Sequence, residues 1–208
     1  MTLKIETENH CHVEEEKGYL FKSEDTQSTE DEYLHLLYAL VYALKPRRIL
    51  ETGCFMGMGT AFMAKALKRN SEFQDFIPHK GLIVSVEIQP KAVEWAREQL
   101  RVNAVSDYGL VVCMDSMEFL AEVTGTFDFA FFDSQLHLRA KELQICLDRG
   151  ILSSGAFFAM HDTSRLRTIT PGQHDPESDK MWIELEKIEG IKFLEFPLSR
   201  GLVLGQVI

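Results

Sequence analysis

The chain has 208 residues, a formal net charge of −10, a hydrophobic content of 45% and a charged content of 26%, which is the composition of an ordinary globular protein with one domain. The negative charge argues against sequence-independent binding to nucleic acid, because such binding requires clustered Lys and Arg that displace counterions. The sequence contains no run of about eighteen apolar residues, so we expect no membrane span.

The N-terminal stretch differs in character from the rest of the chain. Residues 1–28 are polar and acidic, and we expect an arm there, followed by a single domain over residues 29–208. The stretch lacks the apolar core of a secretory signal. Four cysteines (Cys11, Cys54, Cys113, Cys146) occur without C-x-x-C spacing, which favours reduced thiols and a cytoplasmic setting.

The first predicted helix begins at Ser28 or Thr29, either of which is a suitable N-cap, and acidic residues follow in its first turn. Apolar residues then recur at helical spacing as far as Leu44, and Lys45-Pro46 ends the helix. The default role of such an apolar stripe is packing against the core.

A glycine-rich turn follows the first predicted strand, in the sequence Arg48-Ile-Leu-Glu-Thr-Gly-Cys-Phe-Met-Gly-Met-Gly-Thr60. The glycines Gly53, Gly57 and Gly59 allow a tight turn and a close approach of ligand to backbone. A helix that opens near Thr60 directs its N–H groups toward the same place. The order differs from the G-x-G-x-x-G of dinucleotide sites, and Glu51 would repel a pyrophosphate. The turn therefore favours a cationic nucleoside over NAD.

Acidic residues also end the strands that follow. The further predicted strands are Leu82–Glu87, Gly109–Cys113, Phe127–Asp133 and Gly155–Asp162. Their nearly continuous apolar runs indicate strands covered on both faces, as in a parallel sheet. Glu87 is placed to bind the two ribose hydroxyls of a nucleoside, the alternative being a solvated carboxylate. Asp115, which precedes Ser116 after the third strand, is either a ligand contact or the N-cap of a helix over 117–123.

Asp133 and Asp162 follow the fourth and fifth strands, which we expect to be neighbours, so the two carboxylates should converge at the mouth of the cleft. Two carboxylates held close together repel, and the pKa of one would have to rise. A divalent cation, Mg²⁺ or Ca²⁺, would resolve that conflict, because both prefer hard oxygen ligands. The alternative is that both aspartates cap helices or form turns.

The C-terminal part of the chain begins with a long polar loop over residues 163–179, whose length is typical of a functional lid. A helix over 179–188 follows. The apolar runs Ile191–Phe196 and Leu202–Val207 then predict two strands joined by a short turn.

The spacing Glu51-x-Gly53-x-x-x-Gly57-x-Gly59-Thr60 resembles motif I of the class I S-adenosylmethionine-dependent methyltransferases. Together with Phe131-Phe132-Asp133 and His161-Asp162-Thr163, it resembles the metal-dependent O-methyltransferases of small molecules. That group includes catechol-type enzymes, macrolide sugar O-methyltransferases and cephalosporin-hydroxylase-like proteins. The resemblance covers roughly residues 30–208.

The resemblance implies an α/β fold, namely a Rossmann-like three-layer sandwich with a seven-stranded, mostly parallel sheet and an antiparallel C-terminal hairpin. It implies S-adenosylmethionine as cofactor and a small-molecule hydroxyl as acceptor. The implied cofactor residues are Glu51, Gly53, Gly57, Gly59, Thr60, Glu87, Asp115, Ser116 and Asp133, with Asp115 against the adenine amino group. The implied ligands of the divalent cation are Asp133, Asp162 and Thr163.

The chain departs from the catechol-type pattern at two positions. Those enzymes carry a lysine three residues after the first aspartate and an asparagine after the second, where this chain has Leu136 and Thr163. His137 is the nearest titratable replacement for the lysine and His161 the next, because an unperturbed histidine titrates near neutral pH.

Other functions stay open at this point. They are a metal-independent N- or C-methyltransferase, another enzyme on the same fold such as a polyamine synthase or a nucleotide-dependent oxidoreductase, and a non-catalytic nucleoside-binding protein. Fold alone does not decide among these functions. The sequence also determines neither the methyl acceptor nor the oligomeric state, and a homodimer is one of the open states.

Overall fold

The computed structural model describes residues 29–72, 80–166, 168–170, 173–196, 198 and 200–208. The arm predicted over residues 1–28 lies outside the described residues. The strands are β1 (Arg48–Thr52), β2 (Leu82–Glu87), β3 (Gly109–Cys113), β4 (Phe127–Phe132), β5 (Leu152–His161), β6 (Thr168–Thr170), β7 (Gln173–His174), β8 (Ile191–Phe196) and β9 (Leu202–Val207). The helices are α1 (Asp31–Leu44), α2 (Met58–Glu72), α3 (Pro90–Val102), α4 (Ser116–Glu122), α5 (Leu136–Asp148) and α6 (Pro176–Leu185), with a 3₁₀ turn at Ser106–Tyr108.

Seven of the strands form one sheet in the order β3-β2-β1-β4-β5-β9-β8. The first five are parallel, whereas β9 runs antiparallel to both β5 and β8. This arrangement confirms the predicted fold, including the C-terminal hairpin. The chain reverses its direction of travel across the sheet between β1 and β4, and ligands of open α/β sheets bind at such a switch point.

Helices cover both faces of the sheet. One apolar cluster joins the strands to residues of α4, α5 and α6, and a second joins them to residues of α1, α2 and α3. The central strand β4 contributes to both, since Ala130 and Phe132 belong to the first cluster while Phe129 and Phe131 belong to the second. Alternate residues of a strand point to opposite faces, so a continuous apolar run is what a strand in the middle layer requires.

Several element boundaries differ from the sequence-based expectation, and β5 begins at Leu152 rather than at Gly155. The predicted loop over 163–179 contains the short β6–β7 hairpin, and α6 begins at Pro176 because the Asp175 side chain accepts the Glu177 N–H at 2.9 Å and caps it. At the other end, the N-cap of α1 is Glu30 rather than Ser28 or Thr29, and its side chain makes no capping bond. Glu30 is instead bonded within the cluster described below.

Within the described parts of the chain, no helix has both the length and the apolar character needed to cross a membrane. Cys54, Cys113 and Cys146 are free thiols, and Cys11 lies outside the described residues.

Candidate active site

A cavity of about 350 Å³ opens at the carboxyl ends of the parallel strands. Its lining comes from the segments that follow β1, β2, β3, β4 and β5, from the start of α5, and from Arg200 in the β8–β9 turn. The volume lies in the range typical of small-molecule sites, and the position is the switch point of the sheet.

The three glycines of the turn after β1 serve different purposes. Gly53 lines the cavity, has φ +75°, and a Cβ there would lie 2.5 Å from the carbonyl oxygen of Asp133. A Cβ on Gly57 (φ +79°) would lie 2.6 Å from the Cα of Ala96 in α3, and one on Gly59 would lie 2.7 Å from Glu51 Oε1. Gly53 therefore gives the cavity bare backbone, whereas the other two let α2 pack closely.

Glu51 is buried beside the turn. Its Oε2 accepts hydrogen bonds from the hydroxyls of Thr60 and Ser85, each at 2.5 Å. Burial raises the pKa of Glu51 to about 7, although these two hydrogen bonds oppose the rise. The residues that line the cavity in the described structure include neither Glu51 nor Thr60. The hydrogen bonds of Glu51 with Thr60 and Ser85 therefore join β1, β2 and α2, and they shape the turn without lining the cavity.

Glu87, at the end of β2, does line the cavity. Its Oε2 accepts the N–H of Phe55 and its Oε1 accepts the N–H of Gln89, both at 2.9 Å. Phe55 has φ +45°, a left-handed conformation that is uncommon for a bulky residue. Each oxygen of an ionised carboxylate can accept about two hydrogen bonds, so Glu87 is fixed in orientation and keeps capacity for ligand hydroxyls.

Asp115 and Ser116 line the cavity after β3. Asp115 is also the N-cap of α4, with Oδ1 accepting from the N–H groups of Met117 and Glu118, so the predicted cap is present at a residue that lines the cavity. The Ser116 hydroxyl donates to Glu142 at 2.5 Å, and Thr52 donates to the same carboxylate at 2.8 Å. Burial raises the pKa of Glu142, a residue of α5 that the sequence analysis did not single out.

The predicted convergence of Asp133 and Asp162 is confirmed. Ligand atoms of Asp133, His161 and Asp162 lie within 4.8 Å of one another. Two buried arginines share this space. Arg200 is bidentate to Asp162, at 2.5 Å from Nε to Oδ1 and 3.0 Å from Nη2 to Oδ2. Arg139 Nη2 donates to Asp133 Oδ1 at 3.1 Å and lies 3.7 Å from Asp162 Oδ2.

His161 lies between two carboxylates. Its Nε2 is 2.9 Å from Glu30 Oε2, and its Nδ1 is 3.2 Å from Asp133 Oδ1. A neutral imidazole has only one N–H, so two carboxylate partners require the protonated ring. Burial lowers the pKa of His161, but the charges of Asp133 and Asp162 and the hydrogen bonds to Asp133 and Glu30 outweigh it and raise the pKa to about 9.

Glu30 completes this network. Burial raises the pKa of Glu30. The hydrogen bond and charge of His161 and the charge of Arg200 together lower it by more, so the net shift of the pKa is downward. Its second oxygen accepts from Arg200 Nη1 at 2.9 Å. Thr29, the adjacent residue, donates to Asp133 Oδ2 at 3.4 Å. The two residues that precede α1 therefore contact Asp133, His161 and Arg200.

Besides Glu51, Gly57, Gly59 and Thr60, the predicted residues His137 and Thr163 lie outside the described cavity lining. His137 is partly exposed on α5, where its Nδ1 is 3.3 Å from Glu177 Oε2, and it is not one of the described residues in the cavity lining. Thr163 is fully buried, and its Oγ1 has no hydrogen-bond partner among the described residues. It too is missing from the described lining.

Three residues of the network were not found from the sequence: Glu30, Arg139 and Arg200. Arg139 did carry a signal, because it lies in the helical stripe of Leu136, Ala140 and Leu143 that faces the core. A charged residue at such a position is rarely buried without a partner. Glu30 and Arg200 sit in a helix start and a turn, where charged residues are usual and indicate nothing.

The surroundings of the cluster do not fit a divalent cation. Mg²⁺ or Ca²⁺ would need several oxygen ligands at about 2.0–2.6 Å. Both oxygens of Asp162 hold the Arg200 guanidinium, and Asp133 Oδ1 accepts from Arg139 and His161. A divalent cation at this place would lie beside Arg139, Arg200 and His161. These groups already pair with the converging carboxylates.

The chain matches a known protein family. The methyltransferase domain family matches residues 50–163, which is more than half of the chain. The O-methyltransferase hkm8 of Aspergillus hancockii is 24% identical over 160 residues, covering 77% of this chain but only 59% of that protein. The chain therefore spans less than two-thirds of this relative's length.

Solved structures share the fold. The SAH-bound methyltransferase PaMTH1 of Podospora anserina superposes with a TM-score of 0.75 at 20% identity, covering 97% of this chain and 87% of that one. An O-methyltransferase of Bacillus cereus in complex with SAH superposes with a TM-score of 0.72 at 18% identity, covering 100% of this chain and 93% of that one.

Proposed function

Because the chain belongs to the methyltransferase domain family, we propose that it transfers a methyl group from S-adenosylmethionine to a hydroxyl group of a small molecule. The observation that carries this proposal is a single cavity that joins the fixed carboxylate of Glu87 to the polar cluster around Asp133. The proteins PaMTH1 and the Bacillus cereus enzyme, which bind SAH, and the relative hkm8, named an O-methyltransferase, support it.

The residues at the β1–β3 end of the cavity fit the cofactor. Glu87 presents two oxygens for the neighbouring hydroxyls of a ribose, and two backbone N–H groups hold it in place. Asp115 lines the cavity one strand further along, where the adenine amino group would be its partner. Gly53 leaves room for a ligand against bare backbone. Glu51, Gly57, Gly59 and Thr60 act indirectly by shaping the turn.

The other end of the cavity is where the acceptor would bind. S-adenosylmethionine supplies an electrophilic methyl group on a sulfonium when it is bound. The acceptor oxygen would form its bond to the methyl carbon as the carbon–sulfur bond breaks and SAH leaves. It would have to lose its proton to the protein, because a neutral hydroxyl is a poor nucleophile. The protein also has to hold the acceptor oxygen in line with the methyl group, which is the larger part of such catalysis.

Asp133 is the proton acceptor that the geometry supports best. It lines the cavity, and Arg139 and His161 fix it through Oδ1. Asp162 is bidentate to Arg200 and is therefore less available. Of the two predicted histidines, His161 already bears both protons between its carboxylate partners, and His137 faces Glu177. The predicted divalent cation has no part in this proposal, because its ligands are bound to arginines.

The test has two stages. Calorimetry should first detect binding of S-adenosylmethionine and SAH with one site per chain, and no binding of NAD. A panel of phenols, catechols, sugars and amines would then be incubated with the cofactor carrying a trideuterated methyl group. Mass spectrometry and NMR of the products should place the label on oxygen. Label on nitrogen or carbon would favour the alternative acceptors, and absence of cofactor binding would contradict the proposal altogether.

A further inference from the structure

We propose that the guanidinium of Arg200 occupies the place of a divalent cation at the acceptor end of the cavity, so that this site works without a metal. The inference rests on the proposed methyl transfer for the role of the site. Its central claim concerns metal binding and is tested separately. The starting observation is that Asp133, His161 and Asp162 converge within 4.8 Å, as metal ligands would, yet Arg200 is bidentate to one of them.

The carboxylates of the cluster are already paired with positive groups. The cluster holds three carboxylates (Glu30, Asp133, Asp162) and two arginines (Arg139, Arg200), and His161 lies between Glu30 and Asp133. Arg139, His161, Asp162 and Arg200 are buried, and Arg200 itself is only 7% exposed. Buried charges are tolerated when they are paired. Asp133 and Asp162 are each paired with an arginine, so a divalent ion between them would lie against two guanidinium groups.

The fold also holds Arg200 in place through its backbone. Its N–H donates to the hydroxyl of Tyr33 in α1 at 3.1 Å, and its carbonyl accepts the N–H of Ser164 at 2.9 Å. The next residue, Gly201, has φ +81°, and a Cβ there would overlap the backbone of Ser164. Two distant segments thus fix the position from which the side chain enters the cavity. The Arg200 side chain is therefore a fixed part of the cavity wall and not a flexible side chain at the surface.

The chemical consequence concerns the acceptor oxygen. A metal would stabilise the oxyanion that forms as the hydroxyl loses its proton and would orient the acceptor. A guanidinium that lines the cavity supplies a permanent positive charge in a poorly solvated place, which serves the same electrostatic purpose. Because Arg200 also fixes Asp162 and Glu30, it acts as a positioning residue for the whole acceptor end.

Electron paramagnetic resonance of Mn²⁺ is a direct test, since Mn²⁺ bound to protein loses the signal of the free ion. Titration of the wild-type protein should leave the free-ion signal unchanged. Arg200→Met removes the charge and keeps much of the aliphatic stem, so Mn²⁺ should bind at least about tenfold more tightly, because a unit charge about 4 Å away is a strong interaction. Arg200→Lys, which keeps the charge, should behave as the wild type.

A matched control is Arg165→Met, which removes an exposed arginine paired with Glu186 and Glu195 and should not change Mn²⁺ binding. Wild-type protein that binds Mn²⁺ through this cluster overturns the inference, whether or not the variants fold. So does a folded Arg200→Met variant that binds no more Mn²⁺ than the wild type. Calorimetry with S-adenosylmethionine on the same samples keeps this outcome distinct from a failure of the proposed function.

Discussion

Glu51 and Glu87 are carboxylates at the ends of adjacent strands, yet their surroundings give them opposite tasks. Hydroxyls of Thr60 and Ser85 bind Glu51 inside the protein, whereas backbone N–H groups of Phe55 and Gln89 hold Glu87 at the cavity wall. Hydroxyls can donate to a carboxylate or accept from a carboxylic acid, so Glu51 is stable in either protonation state. The N–H groups beside Glu87 can only donate, so they fix the orientation of its two oxygens as acceptors.

The ribose role of Glu87 is tested by Glu87→Ala. Hydrogen bonds to a charged group contribute about 1.5–3 kcal/mol each, so we expect the dissociation constant for S-adenosylmethionine to rise at least about tenfold. Calorimetry measures it. Glu98→Ala, which removes an exposed glutamate paired with Arg101 on α3, is the control and should bind as the wild type does. Unchanged affinity in a folded Glu87→Ala variant would remove the ribose assignment.

Glu51 provides a prediction about pH. Its pKa is about 7 in the folded protein and 4.5 in the absence of structure. The folded state therefore favours the protonated form, and this contribution to stability is complete below pH 4.5 and is lost as the pH rises through 7. Between these values the wild type should lose on the order of 3 kcal/mol of unfolding free energy that a Glu51→Gln variant retains.

Urea unfolding of both proteins at a series of pH values gives this difference directly, because contributions from other groups cancel between them. Glu94→Gln, at a position on α3 where the side chain is 69% exposed, is the control and should follow the wild type at every pH. Parallel curves for wild type and Glu51→Gln would show that Glu51 keeps its ordinary pKa in the folded protein.

At the scale of elements, packing contacts determine which glycines can be replaced by a residue with a side chain. Gly57 and Gly190 have nearly equal φ angles, +79° and +78°, but a Cβ on Gly57 meets Ala96 of α3 at 2.6 Å. No described atom lies within 4 Å of the corresponding position at Gly190. The pair therefore separates the cost of backbone conformation from the cost of packing.

We expect Gly190→Ala to lower the unfolding free energy by about 1–2 kcal/mol, the cost of a left-handed conformation in a residue with a Cβ. Gly57→Ala should lose this amount and about 1–3 kcal/mol more, because α2 and α3 must move apart. Urea unfolding measures both values. Equal losses in the two variants would mean that the turn has room for a methyl group and that Gly57 is required only for its φ angle.

The same elements show how far sequence alone predicts this protein. The bounds of β2, β3, β8 and β9 agree with the sequence-based ones, because a glycine precedes or begins each of these apolar runs. The strand-end carboxylates Glu87, Asp133 and Asp162 also followed from the pattern, since parallel strands bring their carboxyl ends to one edge. In these cases a local pattern and a general rule of sheet topology determine the position.

The arginine network could not be predicted in this way. Glu30 and His161 are 131 positions apart, and Glu30 and Arg200 are 170 apart. No local periodicity relates such residues, because their contact depends on how α1 and the β8–β9 turn meet over the sheet. The sequence therefore indicated where the carboxylates converge but not which cations neutralise them, and a divalent ion was the natural expectation.

At the scale of the whole molecule, the cavity joins distant parts of the chain. Its wall includes Arg200 near the C-terminus, and Arg200 binds Glu30 at the start of the first described helix. A ligand in this cavity therefore contacts segments that are far apart in the sequence and that come apart when the whole protein unfolds. Binding to the folded state alone stabilises a protein by an amount set by the ligand concentration and the dissociation constant.

A thermal unfolding experiment uses this relation. At a concentration of S-adenosylmethionine about 100 times its dissociation constant, the wild type should gain about 2.7 kcal/mol, which corresponds to a rise in Tm of roughly 5–10 °C for a chain of this size. At the same concentration, a Glu87→Ala variant that binds tenfold more weakly should gain only about 1.4 kcal/mol. Its Tm should therefore rise about half as much.

NAD at the same concentration is the control for non-specific stabilisation, because Glu87 and Asp115 would repel a pyrophosphate while the adenosine part is shared. An equal rise with NAD would mean that the cavity recognises adenosine alone and that the charge of its wall does not select the cofactor. SAH should stabilise the wild type as well, since it shares the ribose and adenine groups that Glu87 and Asp115 contact. The rise in Tm with SAH, compared with the rise in Tm with S-adenosylmethionine, then measures how strongly the carboxylates near the glycine turn favour the positive sulfonium.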